Sequence, residues 1–192
     1  GLVTAMVLAE AGMRVAVLEG GSFWPKGSFT RKQSWALENL YQERGQRVLT
    51  GNAFISLQSG RGVGGGTLVN SAISFRAPAK VFEEWRDEHG IEFWTPELRE
   101  RLYTEVEQMI GVEPTKRDIA GKNSEVARRG FEEMGLQSAY MPRSAPGCAG
   151  CGTCQTGCPS GGKASGDNTW LPRALRAGCE LYANTRVTDI LI

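Results

Sequence analysis

The chain has 192 residues, and its 22 Lys and Arg against 21 Asp and Glu leave a formal charge of +1. This balance, with no basic stripe, argues against a nucleic-acid partner, and no apolar run approaches the roughly 20 residues of a transmembrane helix. The length suits one domain, or one domain with an appendage, and an excess of glycine (25 residues without a repeat) indicates tight turns and backbone close to a ligand.

The first segment reads as a helix, a glycine turn, a strand and an acid. Apolar residues recur at helical spacing over residues 2–9, Gly12 follows as a C-cap, and Val15–Leu18 form a short buried strand that ends at Glu19. This order matches the second half of a Rossmann unit, in which an acid after the second strand binds ribose hydroxyls. If Gly1 is the last glycine of a G-x-G-x-x-G loop, its first two glycines lie upstream, so we expect a fragment of a longer protein. The alternative is an ordinary α/β crossover with a solvated Glu19, and the segment does not distinguish NAD from FAD.

A second glycine-rich stretch, the glycine segment (residues 60–70), holds five glycines within residues 60–66. Three consecutive glycines, Gly64 to Gly66, let the backbone approach a flat or anionic ligand without Cβ clashes. Amides at the start of a helix expected from Thr67 suit a pyrophosphate or an electron-rich ring edge, and Arg61 can supply a positive charge. The alternative is a flexible surface loop.

The middle of the chain is predicted to be helical. Residues 79–89 and 123–134 suit helices, and a third begins at Thr95-Pro96-Glu97 and runs to Gly111. We assign these helices and their aromatic residues to packing. His89, the only histidine, is expected on the surface.

Four cysteines, Cys148, Cys151, Cys154 and Cys158, are followed by Pro159 in the spacing C-x2-C-x2-C-x3-C-P, by which bacterial ferredoxins hold iron–sulfur clusters. Thiolates at this spacing suit one iron–sulfur cluster and, less well, a zinc ion. Disulfides in an oxidising compartment and four unligated thiols are the other interpretations.

Beyond the cysteines, the sequence predicts packing and strands. Cys179 is expected to be a buried small hydrophobe. Two strand-like runs follow Gly178, namely Glu180–Tyr182 and Thr185–Ile192.

The glycine segment and the residues after it, up to Pro78, resemble the first signature of the glucose–methanol–choline (GMC) oxidoreductase family of FAD enzymes. The matching residues are Gly60-Arg61, Gly64-Gly65-Gly66-Thr67, Asn70 and Arg76-Ala77-Pro78. The cysteine run resembles that of the long-chain fatty alcohol oxidase branch of this family, through Cys151, Cys154, Cys158, Gly162, Lys163, Thr169, Trp170 and Leu171.

This resemblance implies an α/β, FAD-binding, Rossmann-like fold of the GMC type, truncated at both ends. A helical segment (79–135) and a Cys-rich loop, the cysteine loop (146–166), lie within it. The residues expected to contact FAD are Gly1, Glu19, Gly20, Arg61, Gly62, Gly64, Gly65, Thr67, Asn70, Ser71 and, through its backbone near the adenine, Val187. Val69 stands where some members carry the His that attaches FAD, so non-covalent FAD is implied.

The implied function is FAD-dependent oxidation of the CH–OH group of a small-molecule alcohol, with hydride transfer to flavin N5. The family's catalytic His, paired with His or Asn far towards the C-terminus, has no match, so no catalytic residue is predicted here. An electron-acceptor protein or a quinone would be a further partner, and the location stays open between cytoplasmic and membrane-peripheral. The alternatives are an NAD-linked dehydrogenase with a zinc loop, and an electron-transfer or metal-binding module. The arrangement of residues 60–78 favours the FAD enzyme.

Overall fold

Six α-helices and six short β-strands occur in residues 1–191, the part of the chain that the computed structural model describes. The helices are α1 (Leu2–Glu10), α2 (Gln33–Leu40), α3 (Ala79–His89), α4 (Pro96–Met109), α5 (Arg117–Glu133) and α6 (Trp170–Arg176). The strands are β1 (Ala16–Leu18), β2 (Val48–Leu49), β3 (Ile55–Ser56), β4 (Glu113–Pro114), β5 (Pro142–Arg143) and β6 (Glu180–Tyr182). This mixture of helix and strand is consistent with the predicted α/β class.

The chain divides into two compact units. The first consists of Gly1–Ala72 and Gly147–Ile192, and the second of Ile73–Pro146. None of the helices within residues 1–191 is long and apolar enough to cross a membrane.

In the first unit, α1 packs against α6 through small side chains. Ala5, Ala9 and Ala174 are all buried, and small residues allow two helices to approach closely. The guanidinium of Arg173 donates two hydrogen bonds of 2.9 Å to the carboxylate of Glu10, which joins the same two helices.

The predicted helix, turn and strand at the start of the chain are confirmed. Gly12 ends α1 with φ +83°, and the Met13 amide donates to Leu8 O. Strand β1 then pairs in parallel with β6, with Ala16 opposite Glu180 and Leu18 opposite Tyr182.

Two predictions about the strands are wrong. Strand β1 is not buried, and no strand begins at Thr185. Leu18 is 50% exposed, because the sheet contains only β1 and β6 among residues 1–191 and so has little to cover its faces. Residues 185–191 form no strand: the Thr185 amide still donates to Glu19 O, but β1 offers no further ladder because its pairing ends at Leu18. Ile192 lies outside the described residues.

The core of the first unit lies around α2, a helix that the sequence analysis missed. Its buried members are Phe29, Ala36, Leu40, Tyr41, Leu68 and Val69, with Trp24, Trp35 and Leu37 packed against them. Because Leu68 and Val69 belong to the end of the glycine segment, this core anchors that end. The helix predicted from Thr67 is instead one 3₁₀ turn, Gly65–Leu68.

In the second unit, the three predicted helices are present. The hydroxyl of Thr95 accepts the amide of Leu98 at 3.2 Å, which is the predicted N-cap of α4. Helix α5 starts at Arg117, six residues before the predicted start at 123, and bends at Gly121 (φ 84°, ψ 167°). His89 is exposed, as predicted.

The guanidinium of Arg76 ties the chain before α3 to one face of α4. It donates to Glu100 at 2.7 Å and to Glu107 at 2.6 Å, and it lies 5.5 Å from the ring of Tyr103. Arg76 lowers the pKa of Glu107 by this hydrogen bond. Within the described residues its role is structural.

Four aromatic residues of the second unit pack on one another. Phe82 lies against Trp85 and Trp94 at centroid distances of 5.3 and 6.2 Å, and Phe93 lies against Trp94 at 4.8 Å. They do not form a buried core, because α3, α4 and α5 contain no buried residue. The prediction of packing is therefore confirmed only as local contact.

Candidate cofactor-binding site

A cavity of about 320 Å³ opens in the first unit at the N-terminus of α1. Its walls are Gly1, Leu2, Val3, Val17, Leu18, Glu19, Val63, Gly64, Gly65, Thr67, Gly166, Trp170 and Leu181. Gly1 is the N-cap of α1 and provides no side chain to cap the helix, so the first amides of α1 have no side-chain partner. Unpaired amides at the positive end of a helix dipole favour an anion such as a pyrophosphate.

Glu19 lies at the end of β1 and lines this cavity. Its Oε1 accepts the amides of Gly21 at 2.7 Å and Gly62 at 3.3 Å, so the carboxylate joins β1 to the glycine segment. Both hydrogen bonds use Oε1, and Oε2 accepts none from residues 1–191. The structure therefore gives Glu19 a role in loop geometry that the ribose prediction did not include.

The glycine segment reaches the cavity through two backbone positions that favour glycine. Gly64 has φ +113° and Gly65 has φ +54°. A Cβ on Gly64 would lie 2.9 Å from Cδ2 of the buried Leu68, whereas one on Gly65 or Gly1 would meet nothing within 4 Å. Gly65 therefore leaves open space at the cavity wall, into which a ligand can come close to the backbone.

Thr67 holds the turn that follows these glycines. Its hydroxyl donates to Gly64 O at 2.5 Å and accepts the Gly166 amide at 2.8 Å. Gly166 also lines the cavity, and a Cβ there would lie 3.1 Å from Leu2 and 3.4 Å from Thr67 Oγ1. Gly166 thus forms part of one wall of the cavity, and its hydrogen bond to Thr67 supports the wall formed by the glycine turn.

The structure brings five predicted cofactor residues together at the cavity: Gly1, Glu19, Gly64, Gly65 and Thr67. The six others do not line it. Four of these six interact with neighbouring residues. The carbonyl of Gly20 accepts a hydrogen bond of 3.3 Å from the exposed Arg61, the Gly62 amide donates to Glu19, and the exposed Asn70 accepts the Ala72 amide at its Oδ1.

The remaining two lie elsewhere in the first unit. The hydroxyl of Ser71 accepts from Gln155, and Val187 is 53% exposed. Their contacts with FAD stay predictions.

Sequence reasoning missed several residues that line the cavity. Gly166, Trp170 and Leu181 come from the C-terminal part of the chain, more than 140 residues from α1. The only signal for them was the matching of Trp170 to a family motif, since no local pattern shows that α6 and β6 return to α1 and β1.

The cysteine loop is anchored tightly to the core of the first unit. The Gly147 amide donates to Gly162 O at 3.2 Å, and a side chain on Gly162 would collide with the Gly147 backbone. Tyr41 Oη donates to Gln155 O at 2.9 Å, and Gly157 leaves room for the ring of Phe29. This packing fixes the path of the backbone that carries the cysteines.

The four cysteines of this loop are half-buried, and none of them forms a disulfide within the described residues. The Gly150 amide donates to Cys148 Sγ at 3.5 Å, and the Lys163 amide to Cys158 Sγ at 3.4 Å. A hydrogen bond from Thr153 lowers the pKa of Cys151. Within residues 1–191, no three His, Cys, Asp or Glu side chains are gathered so as to hold a metal ion. The cluster stays a prediction from spacing.

Cys179 behaves as predicted. Its side chain is 5% exposed, and burial raises the pKa of the thiol.

The walls of the cavity fit part of a dinucleotide. They combine helix-terminal amides, a carboxylate and apolar side chains such as Val17 and Leu181. The Oδ1 of Asp167, beside Gly64, is buried and accepts no hydrogen bond in the described structure, so a donor is missing close to this wall. A cavity of about 320 Å³ is at the lower end of the range for small-ligand sites, which suits one portion of FAD.

Comparison with known proteins gives a family match over most of the chain. Residues 37–192 match the profile described as GMC oxidoreductase, for the N-terminal part of that family. A GMC-type oxidoreductase of Mycobacterium tuberculosis is 36% identical over 192 residues, which are 100% of this chain and 30% of that protein. A long-chain-alcohol oxidase of Arabidopsis thaliana is 36% identical over 193 residues, 100% of this chain and 25% of the oxidase.

A more distant relative is the cholesterol oxidase of Acinetobacter baumannii, 25% identical over 224 residues, which cover 99% of this chain and 39% of that protein. The chain thus spans well under half the length of each of these three relatives. Since the family profile covers residues 37–192, the chain belongs to the GMC oxidoreductase family, whose N-terminal domain is Rossmann-like and binds FAD.

Proposed function

We propose that the cavity at α1 binds the adenosine–pyrophosphate portion of FAD. The observation that carries this proposal is the convergence of Gly1, Glu19, Gly64, Gly65 and Thr67, which lie up to 66 residues apart, on one cavity. The amides at the start of α1 would bind the pyrophosphate, and the free Oε2 of Glu19 would accept a ribose hydroxyl.

The protein that contains this chain is proposed to oxidise the CH–OH group of an alcohol to a carbonyl. FAD, when bound, supplies the acceptor for the hydride, at flavin N5. The residues of this chain would bind and orient FAD, and the glycine backbone at Gly64 and Gly65 would allow close approach. The chemical step needs a base that none of residues 1–191 is proposed to supply.

An apolar alcohol is the proposed substrate class. Two of the relatives are named as a long-chain-alcohol oxidase and a cholesterol oxidase, and both names describe an alcohol on a large apolar body. A protein or quinone as electron acceptor is part of the same proposal and rests only on the cysteine run.

The test is an anaerobic visible spectrum of the purified protein that contains this chain, followed by chromatography of the released cofactor. We expect flavin bands, FAD in the released fraction, and bleaching of the bands when a long-chain primary alcohol is added. Absence of flavin after reconstitution with FAD would refute the binding site. Flavin that no alcohol reduces would refute the reaction alone.

The second candidate is an electron-transfer site in the cysteine loop. Amides already donate to Cys148 Sγ and Cys158 Sγ, and such hydrogen bonds stabilise thiolate ligands. Because the described side chains do not gather as a metal site, this proposal requires the thiols to move when iron and sulfide bind.

A further inference from the structure

Lys163 is a buried lysine in the first unit, with a side chain that is 2% exposed. Its ammonium has three N–H donors, and each makes a hydrogen bond of 2.9 Å to a backbone carbonyl: Leu68 O, Asn70 O and Cys154 O. A buried ammonium is costly unless its donors are satisfied, so the three carbonyls must stay close to Nζ for Lys163 to remain charged and buried. This requirement fixes three points of the backbone relative to one another.

Two of these carbonyls belong to the glycine segment. Leu68 ends the 3₁₀ turn Gly65–Leu68, and Asn70 follows it by two residues. The last carbonyls of a helical turn have no partner within it and form the negative end of its dipole. The ammonium of Lys163 therefore satisfies the carbonyl end of the turn, while the opposite end, at Gly64 and Gly65, faces the cavity.

A second contact, made by Gly166, three residues after Lys163, also holds this turn. The Gly166 amide donates to Thr67 Oγ1 at 2.8 Å, and Thr67 in turn donates to Gly64 O. Residues 163–166 thus hold the turn at its carbonyl end through Lys163 and at its middle through Gly166. Nothing else in the function described above uses the Lys163 ammonium.

We propose that Lys163 is a positioning residue for the cofactor: its ammonium fixes the carbonyls of Leu68 and Asn70, so that the Gly65–Leu68 turn presents Gly64, Gly65 and Thr67 to FAD. This inference rests on the proposed binding of FAD at the α1 cavity. It assigns to Lys163 no contact with FAD itself.

The test compares Lys163→Met with Lys32→Met in the complete protein, after removal of FAD. Methionine is close to lysine in length and is apolar, so the first change removes the three donors with little change in volume. Lys32 is an exposed lysine of the same unit and serves as the matched control. Two quantities are measured: the Kd for FAD, from quenching of flavin fluorescence, and amide hydrogen exchange of peptides covering residues 60–72 and 2–12.

For Lys163→Met we expect a Kd for FAD at least tenfold higher than in the wild type. Exchange in the FAD-free protein should be faster in residues 60–72 and unchanged in residues 2–12, and Lys32→Met should match the wild type in both. A Kd within twofold of the wild type would overturn the proposal. Equal acceleration in both peptides would also overturn it, because Lys163 would then support the whole unit and not the turn.

A further variant covers the case in which Lys163→Met does not fold. Lys163→Gln keeps two N–H donors, and we expect it to fold with a Kd for FAD above that of the wild type. An unchanged Kd in a folded Lys163→Gln would overturn the proposal. If the wild type itself binds no FAD, the proposed function fails and Lys163 has no cofactor to position.

Discussion

Replacement of Gly64 by alanine tests the central feature of the candidate site. Gly64 has φ +113° and ψ −17°, a conformation that costs a residue with a Cβ about 1–3 kcal/mol. The new Cβ would lie 2.9 Å from Cδ2 and 3.1 Å from Cγ of Leu68, a side chain that is 2% exposed and cannot easily move. Overpacking of this kind costs about 1–3 kcal/mol more. We therefore expect Gly64→Ala to lower the free energy of unfolding by about 2–4 kcal/mol, less than the full sum because the backbone can relax.

Gly66→Ala is the matched control in the same run of glycines. Gly66 is exposed, is absent from the residues with positive φ, and a Cβ there would meet nothing within 4 Å. Alanine at a compatible glycine position leaves stability unchanged or raises it by about 0.4–1 kcal/mol. The two variants differ from the wild type by the same methyl group, so composition and charge are held constant.

The assay is urea unfolding of the FAD-free protein followed by circular dichroism, with the Kd for FAD measured on the same samples. Gly64→Ala should also raise this Kd at least tenfold, about 1.4 kcal/mol, because Gly64 lines the cavity. Equal stabilities of Gly64→Ala and Gly66→Ala, within about 0.5 kcal/mol, would refute the argument from backbone conformation. A destabilised Gly64→Ala with an unchanged Kd would refute the position of the cofactor.

Three further predictions concern other groups. Glu19→Ala should weaken FAD binding more than Glu19→Gln in a fluorescence titration, because glutamine keeps an oxygen acceptor for the two amides that Glu19 Oε1 now binds; equal Kd values for the two variants would contradict this. Hydrogen bonds from Arg128, then from Arg117 and Tyr140, lower the pKa of Glu125 from 4.5 to about 2. A carboxylate whose pKa is lower in the folded state stabilises the fold above its unfolded pKa, and this stabilisation is lost as the pH falls through the folded pKa. The second unit should therefore lose stability between about pH 4.5 and pH 2. Glu125→Gln should remove that part of the pH dependence in acid unfolding curves. Iron and acid-labile sulfide, assayed with flavin on one sample, should be present in the wild type and lost in Cys154→Ser without loss of FAD; flavin without iron in the wild type would rule out the cluster.

Local chemistry made several elements predictable. The capping hydroxyl of Thr95, with proline and glutamate after it, predicted the start of α4. The hydroxyl accepts an amide that the helix cannot pair, and proline has no amide to leave unpaired. Gly12 likewise predicted the end of α1, since it takes a positive φ. Helix α2 was missed because its residues have no comparable cap and its hydrophobic positions are interrupted by polar ones.

The candidate site was predictable only in part. Glu19 and the glycines carried signals of their own, from a Rossmann-like order and from a run that permits close backbone approach. Gly166 carried none, and Lys163 carried only a match to a family motif that gave it no role, because both roles depend on contacts with Thr67, Leu68 and Asn70, roughly a hundred residues earlier.

By itself, the sequence determined the residue types that the site needs: glycines where the backbone must come close, an acid after a strand, and cysteines at ferredoxin-like spacing. These follow from the conformational and chemical properties of single residues and their near neighbours. Only the tertiary structure decided that five of the predicted residues share one cavity, that Arg61, Asn70 and Val187 lie away from it, and that a buried lysine holds the glycine turn. The hydrogen bond between Lys163 and Leu68 joins residues 95 positions apart, and closing so long a loop costs conformational entropy. The packing of α1, α2 and α6 offsets this cost. No local sequence pattern encodes that packing.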